Sequence, residues 1–393
     1  MAYKKFIGDY LFTGTTMLGG DNVLITDERG GVQAIVPMAE AGEGIEKLSG
    51  IISPGFINCH CHLELSHMKG ALPEHTGLVN FILAILQQRH ASEDTIYAAM
   101  AKAETEMLNN GIVAVGDISN NFFSLEQKKK QRLYYHNFIE VSGFSPAMAQ
   151  HRFDAAMQVY DVFLAEFPAQ TSLVPHSPYS VSPKLFQLID GITGTISSIH
   201  NQETAAENEF YLTGKGDFNR LYETIGVNLN AFYQPSGKSS LQTVLPLVSK
   251  PQQLLLVHDT FTTQPDIDWL QSLPQAQQYF FCICANANLY IENKLPPVDL
   301  FLQNNCLLVI GTDSLASNHS LSILDEIITI TKQFSQIPLP TILQWATLNS
   351  AKALQMDSHL GSFEPGKKPG VIQITNLNED GAINKDSKVK VIL

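Results

Sequence analysis

The chain has 393 residues, 44% of them hydrophobic and only 16% charged, which gives it enough length for a deep core and less charge than the roughly 25% usual in soluble domains. Its formal net charge of −13 repels phosphate backbones and excludes the electrostatic footprint of a nucleic-acid-binding protein. No run approaches the roughly 20 apolar residues of a membrane span, and five cysteines, an odd number in a long chain, argue for reduced thiols in a cytoplasmic protein and against a disulfide framework.

The first residues, "MAYKKFIGDYLFTG", carry two lysines, but Asp9 interrupts before any apolar stretch reaches signal-peptide length. From there to about residue 50 the chain reads as short strands, "KKFIGDYLFTG", "NVLITDER" and "GVQAIVPM", separated by Gly and Asp turn signals. The end of the chain, "GSFEPGKKPGVIQITNLNEDG" and "SKVKVIL", has the same character. Residues 1–51 and 355–393 are therefore expected to form one small β domain around an inserted middle, 52–354. Across that middle, eight apolar runs alternate with helix-length segments: "GFINCHCH" (55–62), "GIVAVGD" (111–117), "YYHNFIEV" (134–141), "TSLVPHS" (171–177), "TISSIH" (195–200), "QLLLVHD" (253–259), "YFFCICAN" (279–286) and "CLLVIGTD" (306–313). Eight such units predict an α/β protein built as a (β/α)₈ barrel. The basic run "EQKKKQR" at 126–132 reads as the solvated end of a short helix, where lysines complement the dipole.

Polar chemistry gathers at the C-terminal ends of these runs, in His60 and His62, Asp117, Glu140, His176, His200, His258, Asn286 and Asp313. Barrel enzymes build their sites at that rim. A single buried histidine is ordinarily a packed one; histidine at four separate strand ends favours function. In "INCHCHLELSH", successive strand residues point to opposite faces, so His60 and His62 share one face and Cys59 and Cys61 the other. Imidazoles two residues apart are ~6.6 Å apart along the strand and can converge on one divalent cation. The cysteines then face the outer helices as small apolar residues. A thiolate zinc site from Cys59, Cys61, Cys282 and Cys284 is the lesser alternative, because structural zinc cysteines usually sit in C-x₂₋₄-C turns. His200 and Asp313 are the natural third and fourth ligands, with a position left for water.

The series "SPGFINCHCH", "HSPYSVS", "HNQETAAE", "GTDSLASN", "ATLNSAKAL" and "LGSFEPGKKPG", in this order, resembles the amidohydrolase superfamily in its cytosine deaminase and chlorohydrolase-like branch. The likeness spans nearly the whole chain and implies a barrel with a β-sandwich made from both termini. It implies one divalent ion, zinc or iron, held by His60, His62, His200 and Asp313, since the fourth strand has His176 where binuclear relatives often use a carboxylated lysine. Such an ion can bring the pKa of a water to ~7. Asp313 is expected to take the water's proton, His258 to orient the nucleophile or polarise the developing oxyanion, and Glu203 to shuttle a proton to the substrate; the bland reading of Glu203 is a helix N-terminal carboxylate. His176, Glu64 and Ser66 are candidate substrate contacts, although each could merely fasten its loop. "HLELS" is similar to the matching stretch of aminodeoxyfutalosine deaminases, so the expected activity is hydrolytic deamination of an aminated purine nucleoside. Deamination of cytosine, guanine or S-adenosylhomocysteine and triazine-type chlorohydrolysis are the alternatives. A non-catalytic assembly protein would have lost ligands, and none is lost. The resemblance further implies a small-molecule substrate and a homodimer or larger oligomer. Two departures stand out: Gly370 in "GKKPG" where aspartate is expected, and "CANAN" where the branch often shows "CPxSN".

Overall fold

A computed structural model describes residues 3–192, 194–274 and 276–393, so Met1 and Ala2 at the head of the first expected segment lie outside it. Among the described residues eight parallel strands occupy the middle of the chain: β1 (Phe56–Cys61), β2 (Ile112–Ser119), β3 (Tyr134–Val141), β4 (Thr171–Pro175), β5 (Ile196–Asn201), β6 (Gln253–His258), β7 (Gln278–Ile283) and β8 (Leu307–Ile310). They pair in sequence order as two four-stranded sheets, β1 to β4 and β5 to β8. The sheets meet at both seams: His200 N donates to His176 O at 2.9 Å, and Thr312 N and Asp313 N donate to His60 O at 3.0 and 3.1 Å.

One apolar cluster takes residues from all eight strands, among them Ile57, Ala114, Phe138, Val174, Ile196, Val257, Cys282 and Val309. The hydrogen bonds at the two seams close the sheets into a barrel, with this cluster in its interior. Ala351, Ala353, Leu354, Met356 and Leu360, from the segment after β8, join the same cluster. Outside, helices show the expected apolar stripe: in Glu93–Asn109 the buried positions Ile96, Met100, Ala103 and Met107 recur at helical spacing, and Ser92 caps the first turn by accepting from Thr95 N at 3.3 Å.

The strict alternation expected along β1 does not hold. Its register against β2 shifts between Asn58 and Cys61, and a bulge of this kind re-aims side chains. Cys59 consequently lies in the barrel interior with Cys282 and Cys284, while Cys61 belongs to the cluster that packs against the outer helices. All five thiols are free, and burial raises those of Cys59, Cys61 and Cys284 well above the ordinary range, so they pack as neutral thiols.

The basic run also departs from expectation. The helix Leu125–Lys128 ends there and Lys129 and Lys130 are exposed, but Lys128 is buried with its Nζ 2.6 Å from Asp117 Oδ2.

Both chain ends build the β-sandwich. A five-stranded sheet runs in the order Lys388–Val391, Ile372–Thr375, Ile51–Ser53, Tyr10–Phe12, Met17–Gly19, and a four-stranded sheet in the order Val32–Pro37, Asn22–Asp27, Tyr3–Ile7, Ile45–Lys47. Phe6, Leu24 and Val32 of the second meet Leu11 and Ile52 of the first and Phe363 and Val371 in one apolar cluster. Gly370 has a steric cause: its φ is +73° and a Cβ there would stand 2.9 Å from Val113 Cγ1 of β2. No helix among the described residues is long and apolar enough to cross a membrane.

Candidate metal centre

Residues at and just beyond the ends of β1, β5 and β8 bring four side chains to one point at the barrel's C-terminal rim. His62 Nε2 lies 3.1 Å from His60 Nε2, 3.3 Å from His200 Nε2 and 3.3 Å from Asp313 Oδ1, and His60 Nε2 lies 3.7 Å from the same oxygen. All four residues are buried. Four ligands at ~2.1 Å from a tetrahedral ion stand ~3.4 Å from one another, so this spacing suits a zinc-sized cation.

The protonation states suit it equally. Burial pushes His62 down to about 3, and burial followed by the neighbouring His60 and His176 takes His200 well below the ordinary histidine range. Both rings are neutral near pH 7 and each keeps one lone pair. For His200 that pair is on Nε2, because Nδ1 donates to His176 O at 2.8 Å; a second bond of this type fixes the ring of a ligating histidine. Asp313 is held well below the carboxylate range: burial opposes ionisation, and the neighbouring imidazoles of His60, His62 and His258 outweigh it. Ser317 donates to its other oxygen, Oδ2. Three imidazole nitrogens and a carboxylate facing one another are mutually repulsive unless a cation sits among them, and a nitrogen-rich set with one oxygen favours zinc or a first-row metal of similar hardness.

The strand ends hold strain as well. Asp313, His258 and Gln202 adopt φ of 58°, 78° and 45°, a region that non-glycine residues enter at a cost of about 1–3 kcal/mol and that collects at functional sites.

Glu203 is buried beside this group, with Oε1 3.6 Å from His258 Nε2. Burial, followed by the charges of Asp313 and Glu207, raises its carboxyl well above the ordinary range. The helix-capping alternative for Glu203 meets a competitor: the following helix starts at Ala205, and Glu207 is the carboxylate that accepts from the backbone, at 2.9 Å from Gln202 N. His258 is pushed down to about 4 by burial above all. Its Nδ1 faces Asn288 Oδ1 at 3.5 Å, while Asn288 Nδ2 is committed to Thr260. That places the ring proton on Nδ1 and leaves Nε2 as an acceptor.

His176 sits next to His200, ring centroids 4.8 Å apart, with Nδ1 2.6 Å from Ser180 Oγ and 3.0 Å from Ser177 Oγ. Glu140, His176 and His200 form a second grouping of ligand-type atoms, but one His200 nitrogen faces His62 and the other is spent on His176 O. His200 therefore cannot serve both groupings, which favours one ion at the four-residue cluster. Glu64 is buried, and Asn120 links it to Glu140: Asn120 N donates to Glu64 Oε2 at 3.1 Å and Asn120 Nδ2 to Glu140 Oε2 at 3.3 Å. Burial lifts both carboxyls to about 7. Ser66 gives its proton to Leu63 O at 2.7 Å, within its own loop. Asn286 lies away from the cluster, its amide bonded to Glu326 and its side chain to Thr329. Asp117 fastens the loop after β1, accepting from Leu63 N at 2.8 Å.

Sequence reasoning missed Asn120, Ser317 and Lys128. Ser317 was within reach, four residues beyond Asp313 in "GTDSLASN"; the other two carry no local mark.

The sequence profile of the Amidohydrolase family matches residues 51–391. An "Adenosine deaminase" of Helicobacter pylori is 24% identical over 336 residues, 84% of this chain and 80% of that protein. An "Aminodeoxyfutalosine deaminase" of Nitratiruptor sp. is 26% identical over 293 residues, 70% of this chain and 66% of that protein. Among solved structures, the Helicobacter pylori aminofutalosine deaminase in complex with methylthio-coformycin superposes with a TM-score of 0.78 at 20% identity, covering 95% of this chain and 93% of that one.

Proposed function

The chain belongs to the amidohydrolase family, and from that membership we propose that it is a metal-dependent hydrolase releasing ammonia from an aminated purine nucleoside, aminodeoxyfutalosine being the best candidate. The observation that carries the proposal is the convergence of His60, His62, His200 and Asp313 with a buried Glu203 beside them, its carboxyl held well above the ordinary range by burial. Those four residues would hold one divalent ion, zinc or iron, which supplies acidity by bringing the pKa of a water to roughly 7.

The rest of the chemistry falls to side chains. Attack at the amine-bearing ring carbon develops charge on the adjacent ring nitrogen. Glu203 enters as a carboxylic acid and gives that nitrogen its proton. His258, with Nε2 an acceptor, orients the attacking water by taking a hydrogen bond from it; this assigns it water positioning and not oxyanion stabilisation. Asp313 accepts the water's proton, its second oxygen steadied by Ser317. The water oxygen bonds to carbon, the proton taken by Asp313 passes to the amine, the carbon–amine bond breaks to release ammonia, and the remaining hydroxyl proton returns to Glu203, leaving a carbonyl beside the protonated ring nitrogen. Glu64, paired through Asn120 with Glu140, is the stronger candidate for substrate hydroxyls, with Ser66 and His176 as further candidates.

The similarity to proteins named adenosine deaminase and aminodeoxyfutalosine deaminase supports a 6-aminopurine substrate. Ammonia release is to be measured on metal-quantified protein with aminodeoxyfutalosine, adenosine, S-adenosylhomocysteine, methylthioadenosine, guanine and cytosine. Turnover of a 6-aminopurine nucleoside with about one ion per chain is expected. Silence toward every member of the panel from metal-loaded protein rejects the deaminase reading.

A further inference from the structure

We infer that Lys128 is a positioning residue of the metal centre, acting through Asp117 to fix the backbone that carries His62; the inference rests on the metal-hydrolase reading above. Lys128 closes a short helix after β2, in a run whose next two lysines are exposed, yet its own side chain and that of Asp117 are 0% exposed. Its Nζ lies 2.6 Å from Asp117 Oδ2, donates to Ser119 Oγ at 2.9 Å, and stands 5.3 and 5.2 Å from the ring centroids of Tyr135 and Phe163.

Packing alone does not explain such a pair, because replacing a buried ion pair by apolar groups of similar volume is often neutral or stabilising. The other end of Asp117 gives the pair a purpose. Its Oδ1 accepts from Leu63 N at 2.8 Å, the first amide beyond His62, and Asp117 is the register partner of Cys61, the residue between His60 and His62. The β1–β2 register is irregular between Asn58 and Cys61, so regular strand pairing does not fix this segment. A charged carboxylate supplies the missing tie, and charge-assisted bonds to backbone amides are about twice as strong as neutral ones. Without Lys128 the buried carboxylate loses its counter-charge and is drawn away from its place, and its hold on Leu63 N weakens.

The test compares wild type, Lys128→Met, Lys128→Met/Asp117→Asn and Lys128→Met/Asp117→Ala for zinc affinity by chelator competition and for the visible spectrum of the cobalt-loaded protein. Lys128→Met is expected to bind zinc about 10- to 100-fold more weakly, the usual effect of losing an outer support of a metal site, with shifted cobalt bands. Lys128→Met/Asp117→Asn has no buried charge and keeps an oxygen for Leu63 N, and it is expected to recover most of the affinity. Wild-type affinity and spectrum in Lys128→Met overturn the inference, as does a neutral Asn pair no better than Lys128→Met. Should Lys128→Met not fold, the two double variants decide: tighter zinc binding with Asn than with Ala is expected, and equal binding overturns the inference. A wild-type protein that takes up no ion removes the metal reading itself, which distinguishes that failure from this one.

Discussion

Glu203 and His60 are both buried at the same rim and are suited to opposite work. Desolvation holds the Glu203 carboxyl well above the ordinary range, which equips it to donate, whereas His60 offers Nε2 to the ligand cluster. Glu203→Gln preserves shape and the ligand set, so we expect unchanged metal content and a turnover lower by about 10²- to 10⁴-fold, the range of a lost general acid. Full activity in that variant removes Glu203 from the mechanism. His60→Ala should lose metal and activity together, read by elemental analysis beside the ammonia assay; an inactive variant that retains its ion would place His60 outside the ligand set. The positions of both residues were legible in the sequence, because a strand end is a one-dimensional landmark and histidine has few reasons to recur at it. Asn120 was not, since its bonds to Glu64 and Glu140 join two loops through an amide that no spacing rule marks. Lys128 was misread for the opposite reason: its neighbours really are solvated, and only the turn after β2 carries this one inward.

At the scale of the element, β1 and β8 are held closely enough that a missing side chain matters. A Cβ on Gly311 would stand 2.9 Å from Cys282 Sγ, 2.9 Å from His60 Cβ and 3.0 Å from Cys284 Sγ. Gly311→Ala must therefore push β1 and its ligand outward. We expect a loss of about 1–3 kcal/mol, typical of overpacking, together with weaker zinc binding; an Ala variant of wild-type zinc affinity would mean that β1 yields without moving His60. The loops after β7 and β8 are joined by Glu326, which accepts from Asn286 N at 3.0 Å and from Asn318 Nδ2 at 2.9 Å. Burial lifts its carboxyl to about 8. A raised acid stabilises the fold fully below the unfolded value near 4.5 and loses that contribution as pH rises through about 8. Thermal midpoints should fall between about pH 5 and pH 9, and Glu326→Gln should flatten the slope; an identical slope in the variant would assign the pH effect to other buried carboxyls such as Glu207. Strand number and order could be read from the alternation of apolar runs. The bulge in β1 could not, because an irregular register leaves no trace in which residues are apolar, and the facing of Cys59 went wrong with it.

For the whole molecule, the ligand set spans the construction of the barrel. His60 and His62 come from the first sheet and His200 and Asp313 from the second, and both seams pass through these residues: Asp313 N to His60 O at one, His200 N to His176 O at the other. An ion held by all four would cross-link the two sheets where their hydrogen bonding is sparsest. Without it, nitrogens 3.1 to 3.3 Å apart face one another across the closure. Since a ligand that binds only the folded state stabilises it by mass action, free zinc at a thousand times its dissociation constant contributes about 4 kcal/mol. Chelated protein should melt several degrees lower and recover on adding zinc. The loss should also be local, because opening at the seams is sub-global: hydrogen exchange at the His200 and Asp313 amides is expected to quicken on chelation while strand interiors such as Leu255 and Phe281 stay protected. A chelated protein with unchanged melting and exchange would show that the barrel closes on packing alone, leaving the ion a role in chemistry and none in the fold.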